Sequence, residues 1–172
     1  MNAIDLLIAQ HRRMETLAHE VLDHLKQHEG ATDIETQATT ARLFARAADE
    51  LTAHIASEEE IFFPAVKAQR TEDILLESLE EHLSLKRLLA DLIELDMGDT
   101  TFLPKFKVLR EQMEHHHKEE EEHLFPKVRQ RVEAGQLDAL GAGMLTLQQR
   151  LQQEGAPREA VSDQTDAAAP LA

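Results

Sequence analysis

Four stretches of this chain, about 3–28, 35–69, 72–96 and 100–132, place apolar residues at steps of three and four, the pattern of amphipathic helices. Each stripe is interrupted near its middle by residues that a core tolerates only when they are partnered. The first runs Ile4, Leu7, Met14, Ala18, Val21 and Leu25, and the gap between Leu7 and Met14 falls on His11. The second runs Leu43, Ala47, Leu51, Phe62 and Ala65, with His54 and Glu58 at its centre. In the third, Leu75, Leu79, Leu85, Leu89 and Leu92 flank His82. The fourth, Phe102, Phe106, Leu109, Met113 and Leu124, carries His116 and Glu120 at the intervening positions. Breaks at Gly30 and Gly98 leave short connections, with Asp33 placed to cap the second helix. Short connections force antiparallel neighbours, so residues 1–132 are expected to form an all-α, up-down-up-down four-helix bundle. Leu137, Leu140, Met144, Leu147 and Leu151 share a face, which predicts a shorter helix within 133–154 packed on the bundle. Residues 155–172 have no periodic stripe and two prolines, and read as a flexible tail.

The second and fourth helices repeat one grammar. His54 and His116 each lie ten residues before a proline, Pro64 or Pro126. Glu58 and Glu120 each follow their histidine by four, and each proline follows a phenylalanine or leucine-phenylalanine pair. Positions i and i+4 share a helix face, so each copy aims an imidazole and a carboxylate the same way. Both the stripe and the proline spacing select His116 from the triplet His115–His117, whose outer members turn about 100° to either side. Counted along four antiparallel helices at about 1.5 Å per residue, the six polar positions fall within about two turns of one level. Four histidines and two glutamates would be desolvated together, and unpaired buried carboxylates cost several kcal/mol each or must take up protons. A dication removes that cost by binding neutral imidazole and carboxylate, so the predicted metal ligands are His11, His54, Glu58, His82, His116 and Glu120. A donor set of nitrogen and oxygen without sulfur suits iron, manganese or zinc. Two carboxylates from facing helices can bridge two ions, leaving room for an oxo or hydroxo bridge and a small ligand. A single ion would leave some of the six unused.

Composition narrows the partners. Lys and Arg total 18 against 33 Asp and Glu, a net charge of −15, which repels nucleic acid and anionic lipid and draws cations. No Tyr or Trp offers a stacking platform for bases. The absence of cysteine excludes thiolate metal sites and disulfides and agrees with a cytoplasmic location. No secretory signal and no apolar run of membrane-spanning length is found.

The ordered set His11, His54-x-x-x-Glu58 with Phe-Pro, His82, His116-x-x-x-Glu120 with Phe-Pro resembles the hemerythrin-like HHE cation-binding domain over about residues 3–132. The resemblance implies a four-helix bundle enclosing a non-haem di-iron centre bridged by both glutamates. Oxygen-carrying hemerythrins have a second histidine four residues after that of the third helix, where this chain has Lys86. They also use an aspartate five residues after the fourth-helix histidine, where this chain has Glu120 at four. The chain therefore resembles the six-ligand bacterial branch more than the respiratory carriers. The implied function is binding or sensing of a small ligand such as O2 or NO, or the handling of iron. The alternatives are a di-iron enzyme turning over peroxide or NO, and a metal-free helical adaptor. Glu15, four residues after His11, is read as surface or outer layer. Glu81, beside His82, is able to orient a ligand but is expected to be solvated, and the runs Glu58–Glu60 and Glu119–Glu122 are read as solvated faces apart from Glu58 and Glu120.

Overall fold

The computed structural model describes residues 1–172. Helix α1 spans Ala3–Gln27 and α2 spans Ile34–Ser57. Asn2 and Asp33 cap them, each side chain accepting from the backbone N–H three residues on. Without a break, α2 passes through a π-helical turn, Glu58–Phe62, into the short α3, Phe63–Val66. Helix α4 covers Glu72–Glu94. Helix α5, Phe102–Glu119, passes in the same way through a π turn at Glu120–Leu124 into α6, Phe125–Arg131. Helix α7, Ala134–Glu154, and a 3-10 helix, Pro157–Gln164, complete the chain. The four long rods form a ring in which α1 packs on α2 and α5, and α4 packs on α5 and, more thinly, on α2. No helix is long and apolar enough to cross a membrane.

The π turns follow from the Phe-Pro pairs. Proline has no N–H, and its ring crowds the carbonyl four residues before it. The helix widens instead, and the N–H of Phe63 bonds to the carbonyl of Glu58 while that of Phe125 bonds to that of Glu120. One inserted residue advances the inward face by one. Phe62, Phe63 and Val66 are therefore buried, whereas Ala65, expected in the core, is only half-buried. Leu124, Phe125 and Val128 repeat the arrangement.

Two apolar layers fill the bundle. One contains Met14, Phe44, Leu51, Leu89, Phe106 and Met113. The other contains Ile4, Leu7, Phe62, Leu75, Leu79 and Phe125. Along every helix the predicted polar positions fall between these layers.

The C-terminal segment departs from the flexible tail expected from Gly155 onward. Residues 157–164 lie along the gap between α2 and α4, and Val161 is fully buried in the apolar layer of Phe44 and Leu89. Arg158 donates to Asp49, and Arg87 donates to the carbonyls of Thr165 and Asp166. A 3-10 turn anchored by one apolar side chain and a few charged groups carries no helical stripe, which is why periodicity does not reveal it. Helix α7 packs on α1, α2 and the first π turn. There the N-terminus passes so close that a Cβ on Gly141 would lie 2.6 Å from the carbonyl oxygen of Met1.

Candidate metal centre

All six sequence-predicted positions meet in the layer between the two apolar clusters, each at 2% exposure or less. Their geometry divides them into two groups that share both carboxylates. One is His11, His54, Glu58 and Glu120; the other is Glu58, His82, His116 and Glu120. Each glutamate splits its oxygens between the groups. Glu58 Oε1 lies 3.3 Å from His54 Nε2, and Oε2 lies 3.1 Å from His82 Nε2. Glu120 Oε2 lies 3.2 Å from His11 Nε2, and Oε1 lies 3.5 Å from His116 Nε2. The Nε2 atoms of His82 and His116 are 3.0 Å apart. Two nitrogens about 2.1 Å from one ion and at right angles to each other would be separated by about that distance.

The cluster is short of partners within the protein. His11 Nε2, His54 Nε2 and all four oxygens of Glu58 and Glu120 are buried without a hydrogen bond. Buried polar atoms are normally satisfied, and these orphans all belong to the donor set. Their types and shared carboxylates fit divalent cations, so the His/Glu cluster is capable of binding metal.

The sequence pattern of the Hemerythrin HHE cation binding domain matches residues 2–128. The chain belongs to the hemerythrin HHE cation-binding family. Among solved structures, an HHE cation binding domain-containing protein from Mycobacterium kansasii is similar, with a TM-score of 0.71 and 19% identity. The match covers 95% of this chain and 91% of that one, and at this identity it speaks to the fold. No curated protein matches the sequence.

In this HHE domain an outer layer orients three of the rings, His11, His54 and His82, through Nδ1. Glu121 accepts from His11 at 2.8 Å, and Glu59 accepts from His82 at 3.0 Å. Gln10 Oε1 accepts from His54 at 2.9 Å, and Glu81 approaches His116 Nδ1 at 3.4 Å. An acceptor at Nδ1 holds the proton there and leaves the Nε2 lone pair facing the cluster. The layer follows the internal repeat. The residue after each shared glutamate holds the single histidine of α1 or α4, while of the residues before the single histidines Gln10 holds the histidine of α2 and Glu81 stands beside that of α5. The runs Glu58–Glu60 and Glu119–Glu122 are thus less solvated than the sequence suggests, since Glu59 and Glu121 face inward. Lys86 is buried and donates to Glu59 at 2.8 Å, while Arg12 pairs with Glu121. Helix α7 contributes Gln148, which exchanges hydrogen bonds with Gln10 and donates to Ser57 Oγ. Glu15 pairs with Arg12 at the surface. Phe63 stacks on His82 and Phe125 stacks on His11, so the Phe-Pro pairs also wall the histidines.

The charges in this layer are uneven. Burial would raise Glu58, but the charges and hydrogen bonds of His54 and His82 hold it well below the ordinary carboxylate value. Burial and the neighbouring Glu58 push Glu120 well above it, so without metal the two shared carboxylates are driven in opposite directions. Burial and the neighbouring His54 lower His11 to about 2, and burial lowers His116. Burial opposes protonation of His82 as well, yet hydrogen bonds to Glu58 and Glu59 carry it above its ordinary value.

One functional-looking residue falls outside the predicted six. His117 is buried at 1% exposure, stacks on His11 with ring centroids 3.9 Å apart, and groups with His11 and His54. The stripe turns it aside from the core. Helix α1 crosses close enough to α5 at this level to cover that flank as well, and the signal in the sequence was the histidine triplet itself.

Proposed function

We propose that this HHE domain holds two metal ions, two irons in its working form, and that the pair binds a small ligand such as O2 or NO. The observation that carries the reading is the division of each shared carboxylate, one oxygen toward each pair of histidines. A single ion would leave half of those donors buried and unsatisfied. His11 and His54 would hold one ion, His82 and His116 the other, and Glu58 and Glu120 both. Bound there, the ions would supply a redox-active centre with coordination positions open to a small ligand. The protein's part is to present neutral imidazoles with fixed tautomers, to exclude bulk water, and to bind the ions between two apolar layers.

The test is metal content and optical spectrum of protein purified from iron-supplied cells, before and after dithionite. About two irons per chain, with a near-ultraviolet absorption that bleaches on reduction and shifts with NO, is the expected result. One ion or none per chain, or two ions with no response to reductant, would sink it. Steady turnover of peroxide or NO by the loaded protein would replace the binding role with an enzymatic one.

A further inference from the structure

We propose that His117 is a seventh ligand, reserved for the ion held by His11 and His54, so that the two metal positions are unequal. The inference rests on the two-metal reading above. Both ring nitrogens of His117 are buried with no hydrogen-bond partner, whereas His11, His54 and His82 are each held through Nδ1 and His116 meets His82 through Nε2. A packing histidine normally has at least one nitrogen satisfied. A ring nitrogen of His117 lies within 4.8 Å of ring nitrogens of both His11 and His54. His82 and His116 have no corresponding neighbour. The residue that follows His54, in the place His117 takes after His116, is Ile55, a buried apolar side chain. The internal repeat is kept by the ligands, by Glu59 and Glu121 on the single histidines and by the stacked phenylalanines, whereas His117 has no histidine counterpart. With His117 the first ion would have five protein donors, and the second would have four.

The stacked geometry says which ring moves. A ligating imidazole keeps its ion in the ring plane. His11 and His117 lie nearly parallel, 9° apart, and so cannot share an ion as they stand. His11 is fixed by Glu121, whereas nothing holds His117, which is therefore the ring that turns. Its side chain is a ligand on loading and a stacked ring without metal. The position of His82 and His116 is then the one with more room for an exogenous ligand.

The experiment titrates metal-free protein with cobalt(II) against a chromophoric chelator, following the d–d bands. The wild type is expected to take two ions in two distinguishable steps. His117→Leu should keep both sites but weaken one by at least tenfold, the lower end of what loss of an outer-layer partner costs. It should also intensify the d–d bands of that step, because a lower coordination number absorbs more strongly. His117→Ala opens a space for added imidazole, which should restore both affinity and spectrum. A structural role would show no such rescue. Two ions bound by His117→Leu with wild-type affinities and bands, or no rescue of a weakened His117→Ala, would overturn the assignment. A wild-type chain that takes fewer than two ions would instead overturn the two-metal reading, and this inference with it.

Discussion

Glu59 joins two functions that a pair of substitutions can separate. One oxygen accepts from His82 Nδ1 and the other from the ammonium of Lys86, and both partners are buried. Glu59→Leu removes the acceptor of an orienting bond and also leaves a buried cation without its counter-charge. Breaking a buried pair from one side costs about 3–5 kcal/mol, most of it the stranded charge. Lys86→Met added to Glu59→Leu removes that charge, so the double variant should recover to within about 1–2 kcal/mol of wild type in urea unfolding of the metal-free protein. Metal affinity should behave differently. It follows the orientation and basicity of His82, for which an outer acceptor is worth about 10–100-fold, and Lys86→Met does not replace that acceptor. Chelator competition should therefore show both the single and the double variant weakened by similar factors, while unfolding shows only the single strongly destabilised. If affinity recovers along with stability in the double variant, Glu59 acts on the metal only by keeping the bundle intact. If the single variant is as stable as wild type, the Lys86–Glu59 pair is not the buried charge pair described here.

Other perturbations bear on different parts of the site. Glu120 is held above its ordinary value, so in the metal-free protein it costs stability as pH rises through the carboxylate range; Glu120→Gln should be more stable than wild type at pH 7, lose that advantage below about pH 4, and bind metal more weakly. Glu58, Glu59 and Glu81 are held below theirs, contribute stability above about pH 4.5, and lose it on acidification, so the urea midpoint of the metal-free protein should fall steeply there even in the Glu120→Gln background. Metal uptake should release protons, because Glu120 and His82 are both held above their ordinary values without metal and must give up protons to bind it, and the release is read by calorimetry in buffers of different ionisation enthalpy. Val161→Ala should cost about 2 kcal/mol in urea unfolding, and a value near zero would mean that the 3-10 helix does not dock in solution.

Much of this was legible before any coordinates, and the reason is physical. A helical stripe has few inward positions, so a charged or imidazole residue on one of them is visible as an exception. All six cluster residues, and the choice of His116 within its triplet, follow from that rule alone. What the stripe does not show is whatever depends on neighbouring helices. Glu59 and Glu121 look like members of acidic surface runs, and they face inward only because the opposite helix presents His82 or His11 beside them. His117 and Gln148 are hidden for the same reason, the first by the closeness of α1, the second because its value depends on Gln10. The π turns could be anticipated as distortions at Pro64 and Pro126, but not that widening would move Phe63 and Phe125 onto the rings of His82 and His11. The repeat ties these together. A glutamate, its successor and a Phe-Pro five residues on supply, from one turn of one helix, a shared carboxylate, an acceptor for a histidine of the neighbouring helix, and a wall for that same ring. The second half does the same toward α1. Each half thus completes the histidine environment of its neighbour, and a change in one π turn should be felt first at a histidine on another helix.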